Sequence, residues 1–447
     1  MRPHNELVRE GPHAAFATAG KRFIAATCGP CRYAWDCPPA SDPMRMIRCL
    51  ALSMFLAACS TPASTTTPIA SVRVAFDRNG TTDTQLHGFA DFEAKRKITA
   101  DDPVRIASIS KLVTTIGAMR LVEEGKLDLD ADLSPLLGWR LRHPAFPDTP
   151  ITLRLLLSHR AGLTDAAGYW KVPIDGALRD ITDDPRAWNA TRAPGTFFRY
   201  ANVNFPLVAS AMEKATGERF DILMQRLVLA PLKIDACFNW ESCSRETAAR
   251  AVVQYDPTGK PVYDNLRGRK PRCAVIRATD GGCDLSQWTP GRNGAMFSPQ
   301  GGLRISANGL ARIGRMLLRE GELDGVRVLS PASVRTMFEP QWTYTADNGL
   351  TVEEDSSGQS RKGFFCRYGL AVQTLATKRE GCRDDPFGDG IERSGHAGAA
   401  YGLLSGVWID RASGTGVVYF ATGMEDAPPG THSAFTAVEE TLARGAR

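Results

Sequence analysis

The runs SVRVAFDRNG at 71–80 and YGLLSGVWIDRASGTGVVYFATG at 401–423 stand near opposite ends of the chain, and each reads as a strand turning back on itself. Ser71-Val72-Arg73-Val74-Ala75-Phe76 alternates with the period of two that a half-buried strand requires. Asn79-Gly80 follows as a hairpin turn toward a second strand through Gln85 to Glu93. Near the other end, YGLLSGVWID and GTGVVYFATG flank the turn Arg411-Ala412-Ser413-Gly414. Strands at both ends with helical patterns between them imply an α/β fold. Its core is one antiparallel sheet assembled from the two chain ends and flanked by helices, with a mainly helical region inserted at about 112–300.

The intervening helical patterns are short and broken by Pro and Gly: LRLLLSH at 153–159, FPLVASAMEKATG at 205–217, FDILMQRLVLAPL at 220–232 and ANGLARIGRMLLREG at 307–321. A last amphipathic helix carries Phe435, Val438 and Leu442 on one face. Between the first strand pair and this region lies IASISKLVTTIGAMRLVEEGKL, starting at Ile106. Its Leu112, Val113, Ile116, Met119 and Val122 form one helical stripe, and Gly125 is a natural stop. A loop-rich stretch runs from Asp235 to Pro299, and no internal repeat is visible.

The N-terminal part is of another kind. In MRMIRCLALSMFLAACSTPASTTTP, residues 44–68, Arg45 and Arg48 precede an apolar run from Cys49 to Ala58. That run is too short for a permanent span and reads as a secretory signal at 44–58. It ends in Leu56-Ala57-Ala58-Cys59, which resembles the bacterial lipoprotein cleavage box. The resemblance implies a diacylglyceryl group on Cys59, which becomes the first residue of the mature chain. Residues 59–69 are then a flexible tether rich in Ser, Thr, Pro and Ala. The expected location is periplasm-facing, held to a membrane through that anchor.

Residues 1–43 are expected to be an upstream extension from a misplaced start codon, with Met44 or Met46 the true start. They contain Cys28-Gly29-Pro30-Cys31, the redox frame of thioredoxin, but Pro38-Pro39 stops the helix such a frame needs.

Six cysteines lie in the body: Cys237, Cys243, Cys273, Cys283, Cys366 and Cys382. An even set suits disulfides in an oxidising compartment, although buried free thiols fit the same count. Of the many possible pairings, loop entropy favours the local ones: 237 with 243, 273 with 283, 366 with 382. A net charge of +5, with Lys and Arg scattered, carries no nucleic-acid footprint. The histidines are far apart with no His-Glu-x-x-His, and nothing in the motifs below calls for a metal or a cofactor.

Serine is a common helix N-cap, so IASISKL has an ordinary structural reading. It has a chemical one as well. Ser108 and Lys111 are three apart and share a helix face, so the lysine amine can reach the serine hydroxyl and act as its base. Ser110 adjoins Lys111 and points elsewhere. Two further strings bear on the choice. PGTFFRYANVNF at 194–205 carries Tyr200-Ala201-Asn202, a tyrosine able to relay a proton and an amide able to hold a substrate carbonyl. Tyr263-Asp264-Asn265 has the same spacing but lacks the preceding Pro-Gly-Thr turn. SGHAGAAYG at 394–402 is a Gly-rich entry into a strand, where backbone N–H groups can complete an oxyanion hole. No Gly-x-Ser-x-Gly occurs.

The order Ser108-x-x-Lys111, Tyr200-x-Asn202, His396-x-Gly398 resembles the serine beta-lactamase and penicillin-binding protein family, in its class C-like branch of esterases and D-peptidases. The strings ITLRLLLSHRAGL at 151–163, GGLRISANGLARIG at 301–314 and LLSGVWID are similar too, so the resemblance covers about 70–445. It implies a beta-lactamase/transpeptidase-like catalytic domain at 70–447. Ser108 would be the acylated nucleophile, Lys111 and Tyr200 the proton relay, and Asn202 a substrate ligand. The N–H groups of Ser108 and Ala399 would form the oxyanion hole. Lactamases and many D,D-peptidases carry lysine where this chain has His396, and a mostly neutral imidazole is a poor anchor for a substrate carboxylate. The expected reaction is therefore hydrolysis of ester or D-peptide-like amide bonds in a small-molecule or peptide substrate, ahead of beta-lactam hydrolysis or D-alanyl-D-alanine cleavage. A catalytically idle cell-wall peptide sensor is the reading outside enzymes.

Overall fold

The computed structural model describes residues 67–352, 361–425 and 427–445. The expected extension, signal, lipidation at Cys59 and the tether as far as residue 66 lie outside the described residues. Nine strands form one sheet, antiparallel at every pairing. They are β1 (Ala70–Asp77), β2 (Thr81–Asp91), β3 (Arg96–Lys97), β4 (Trp342–Thr343), β5 (Arg367–Tyr368), β6 (Gln373–Thr374), β7 (Ser394–Ala400), β8 (Leu403–Asp410) and β9 (Thr415–Thr422), in spatial order β4-β5-β6-β7-β8-β9-β1-β2-β3.

The first and last strands of the described residues meet inside the sheet. Ala70 pairs with Thr422 and Val74 with Val418, so the first strand is stitched to the last. β1 alternates buried and half-buried residues along its whole length, as its sequence period demands. β8 is buried at every position, because each of its faces is covered. On one face Val407 and Ile409 pack with Leu310, Ile313 and Leu317 of helix α3 (Ala307–Leu318). On the other, Trp408 packs with Phe435 and with Ala443 of helix α4 (Ala437–Arg444). Phe76 lies between α3 and the sheet, and a Cβ at Gly314 or Gly416 would fall 2.4 Å from its ring.

Several details differ from the sequence expectation. The β1–β2 hairpin closes through the Asp77 carboxylate, which accepts from the N–H groups of Asn79 and Gly80, rather than through a left-handed Asn-Gly pair. The 220–232 pattern is α-helical only over Phe220–Met224 and continues as a π turn, Gln225–Leu229. Phe435 precedes α4 instead of riding on it; a capping box of Thr436 and Glu439 starts that helix one residue later. Helix α1 (Ile109–Glu123) is buried at 12 of its 15 positions, so its apolar stripe understates a helix enclosed on nearly every side.

The inserted region supplies helix α2 (Asn204–Thr216), which packs on α1. Disulfides join Cys237 to Cys243, Cys273 to Cys283 and Cys366 to Cys382, the locally closed pairings. Among the described residues no helix is long and apolar enough to cross a membrane.

Candidate active site

From Asp102 to Met119 every residue is buried except Ser108. It sits at the N-cap of α1, yet its side chain makes no capping bond. The local hydroxyl work falls to Ser110, whose Oγ donates to Ala107 O at 2.7 Å and accepts from Leu303 N at 3.1 Å. Ala107, just before the nucleophile position, has φ +53°, a conformation that non-glycine residues rarely adopt and that recurs at functional sites.

The Ser108 hydroxyl faces Lys111, with Nζ 2.9 Å from Oγ. Lys111 itself is fully buried. Its Nζ also donates to Asn202 Oδ1 at 2.8 Å and to the Gln300 carbonyl at 2.9 Å. Both of those partners are acceptors only. As an ammonium Nζ donates to all three; in the neutral form its two N–H bonds stay on the two fixed acceptors and its lone pair is left for the Ser108 hydroxyl.

Tyr200 reaches the site at the entry to α2. Its ring is held between His159 (centroids 4.3 Å) and a stacked Phe365 (4.7 Å), with Lys111 Nζ 4.8 Å from its centroid. Asn202 is clamped by Asp165. One carboxylate oxygen accepts from Asn202 N at 2.9 Å and Asn202 Nδ2 at 3.0 Å, and the other accepts from Val203 N at 2.9 Å. Burial raises the Asp165 carboxyl above its ordinary range, while those three donors and Lys111 pull it back down.

β7 forms the far wall. Leu375 N donates to Arg393 O, so alternate residues 393, 395, 397 and 399 direct their N–H and C=O groups toward β6. β6 pairs with β7 at Ser394 and Gly395, so among the described residues the N–H of Ala399 lies on an edge without a strand neighbour. Gly398 lets this edge approach α1. A Cβ there would sit 2.6 Å from Ser405 Oγ, 2.7 Å from Ile106 O and 3.1 Å from Ser108 N. The backbone amides of Ser108 and Ala399 are thus brought to the same mouth.

His396 is buried, and its two nitrogens are engaged inside the protein. Nε2 meets Tyr368 OH at 2.9 Å, and Nδ1 meets the Ala397 carbonyl. Since a carbonyl can only accept, Nδ1 carries the proton and Nε2 accepts from the tyrosine. Burial first, then Lys111, pushes its pKa down to about 3, so the ring is neutral at any ordinary pH. As placed, it offers a substrate a ring face or edge rather than a nitrogen. His159 is held well below its ordinary pKa by the same causes.

A family model described as Beta-lactamase matches residues 60–440. The chain belongs to the beta-lactamase family. Esterase EstB of Burkholderia gladioli is 30% identical over 196 residues, which is 40% of this chain and 48% of that protein. A lovastatin esterase of Penicillium rubens is 28% identical over 261 residues, 54% of this chain and 60% of that protein. The match thus spans about half to three-fifths of these curated relatives. Among solved structures, D-amino acid amidase from Ochrobactrum anthropi SV3 superposes with TM-score 0.56 at 19% identity, over 84% of this chain and 92% of that one. The octameric penicillin-binding protein homologue from Pyrococcus abyssi gives TM-score 0.59 at 17% identity, over 90% and 76%.

For a member of the beta-lactamase family, the structure brings together Ser108, Lys111, Tyr200, Asn202, Gly398, Ala399 and His396 at one locus, and leaves the Tyr263 copy of the Tyr-x-Asn pattern outside it. Sequence reasoning missed His159, Asp165, Gln300, Phe365 and Tyr368. The first lies in the ITLRLLLSHRAGL string and the second two residues beyond it, which was the one available signal.

Proposed function

We propose that this protein is a serine hydrolase that cleaves ester or D-peptide-like amide bonds through an acyl-enzyme on Ser108. The observation that carries this reading is the buried Lys111, whose Nζ is held by two fixed acceptors at 2.9 Å from the Oγ of Ser108, the single accessible residue of its segment. Ser108 Oγ attacks the substrate carbonyl while Lys111 takes its proton, with Tyr200 beside the amine to pass that proton to the leaving group. The N–H groups of Ser108 and Ala399 stabilise the oxyanion, and water then hydrolyses the ester on Ser108. A neutral, internally bonded His396 supplies no positive charge for a carboxylate, which favours substrates without one at that place. The esterase and amidase relatives support the same class.

The reading extends to location: an anchor on Cys59 would hold the body outside the cytoplasm, where its three disulfides persist. Intact-mass analysis of the native protein should find none of residues 1–43 and a diacylated Cys59.

The test of activity is a panel of p-nitrophenyl esters, D-amino-acid amides, D-Ala-D-Ala peptides and nitrocefin. Turnover of the esters or amides above nitrocefin is expected. Preferred turnover of nitrocefin or of D-Ala-D-Ala would move the protein to a beta-lactamase or carboxypeptidase, and acylation without turnover would make it a sensor. Gly398→Ala should lower the rate on the order of 10²-fold, because its Cβ forces β7 away from the Ser108 amide. Unchanged rates in Gly398→Ala would remove β7 from the oxyanion site.

A further inference from the structure

An asparagine side chain can face either way, and its two ends do opposite things to a neighbouring amine. Asn202 has Lys111 at one end and Asp165 at the other. With Oδ1 toward Lys111, it accepts an N–H and leaves the amine lone pair for Ser108. Turned round, its NH₂ would point at Nζ and compete with the Ser108 hydroxyl for that lone pair. Nothing in Lys111 itself chooses between the two, since a neutral amine both donates and accepts. Asp165 does choose, because an ionised carboxylate accepts only.

The carboxylate is also immovable. It is fixed by the backbone N–H groups of Asn202 and Val203, so the same residue anchors the segment leading into α2 and the amide that projects from it. We propose that Asp165 is a positioning residue for catalysis: it locks the Asn202 amide with Oδ1 toward Lys111 and thereby keeps the Lys111 lone pair on Ser108. Asp165 touches Lys111 only by way of Asn202, and its charge also acts on the amine directly. The inference rests on the proposed role of Lys111 as the base.

Other ionisable groups surround this axis: His159, His396 and Tyr200 beside Lys111, and Tyr169 near Asp165. The two histidines are neutral over the working range, so they do not mask a change at Lys111.

The test is a double-mutant cycle of Asp165→Asn and Asn202→Ala, read as the rate of Ser108 acylation by a fluorophosphonate. Asp165→Asn should slow acylation on the order of 10²-fold in the wild-type background and less than about twofold in the Asn202→Ala background. Lys111 should also titrate at lower pH in Asp165→Asn, seen as a downward move of the acid limb of kcat/KM and directly by Nζ-detected lysine NMR. Equal losses in both backgrounds, or an unmoved lysine titration, would overturn the proposal. If Asp165→Asn does not fold, Asp165→Ser, whose hydroxyl still accepts from one backbone N–H, takes its place in the cycle. Absence of any adduct in the wild-type protein would instead defeat the hydrolase reading, and the Lys111 shift caused by Asp165→Asn, compared with and without Asn202→Ala, would still decide whether Asp165 orients Asn202 at Lys111 beyond its direct charge effect.

Discussion

Ser108→Ala should abolish covalent labelling by a fluorophosphonate and lower ester or amide turnover by about 10⁴- to 10⁶-fold, the range found when a hydrolase loses its nucleophile. The folded state should barely notice. Loss of a helix N-cap hydroxyl ordinarily costs about 1 kcal/mol, but the Ser108 side chain makes no capping bond, so that cost does not apply. Ser110→Ala is the mirror experiment. It strips the partner from the buried Leu303 N–H and should destabilise by about 1–3 kcal/mol while the adduct on Ser108 still forms. Two serines separated by one residue thus divide chemistry from structure. Labelling that survives in Ser108→Ala, or is lost in a folded Ser110→Ala, would reverse the assignment.

The division was visible in the sequence to the extent that it is local. Ser108 and Lys111 are three residues apart on a helix, and Tyr200 and Asn202 are two apart at a helix entry, so spacing alone pairs them. The partners that give these residues their orientation are not local. Asp165 is 37 residues from Asn202, His159 is 42 from Ala201, and Gln300 is 189 from Lys111. No periodicity connects such pairs. They meet because α1, α2 and the strands pack on one another, and a backbone carbonyl such as that of Gln300 has no residue-type signature at all. The fold shows the same contrast. β1, β8 and β9 each have eight residues, long enough for alternation or continuous burial to be read. β4, β5 and β6 have two residues each and are strands only because β7 is there to pair with, directly or through a neighbour.

The rejected copy of the Tyr-x-Asn motif carries the largest expected effect on stability. Asn265 is exposed, whereas the Asp264 side chain is 3% accessible and lies against a wholly inaccessible Arg304. Asp264 accepts from Arg304 Nε at 2.9 Å and Nη2 at 2.6 Å, and from Trp240 Nε1 at 3.2 Å. The guanidinium also lies 4.1 Å from the Trp240 ring centroid. Arg304 is in the short strand Leu303–Ile305, which pairs with Val104–Arg105 immediately before the nucleophile segment and with Cys237–Phe238. Asp264→Ala would leave a charged guanidinium buried without its counter-ion. The cost of such a break is about 3–5 kcal/mol, which for a body of this size lowers Tm on the order of 5 °C. Replacing both partners should hurt less than removing one, since the desolvation penalty leaves with the charge. Asp264→Leu with Arg304→Met is therefore expected to lie closer to wild type in denaturant midpoint than Asp264→Ala. A midpoint for Asp264→Ala equal to wild type would mean that Arg304 finds water or another anion. The site and its scaffold would then be uncoupled at the strand that leads into Ser108.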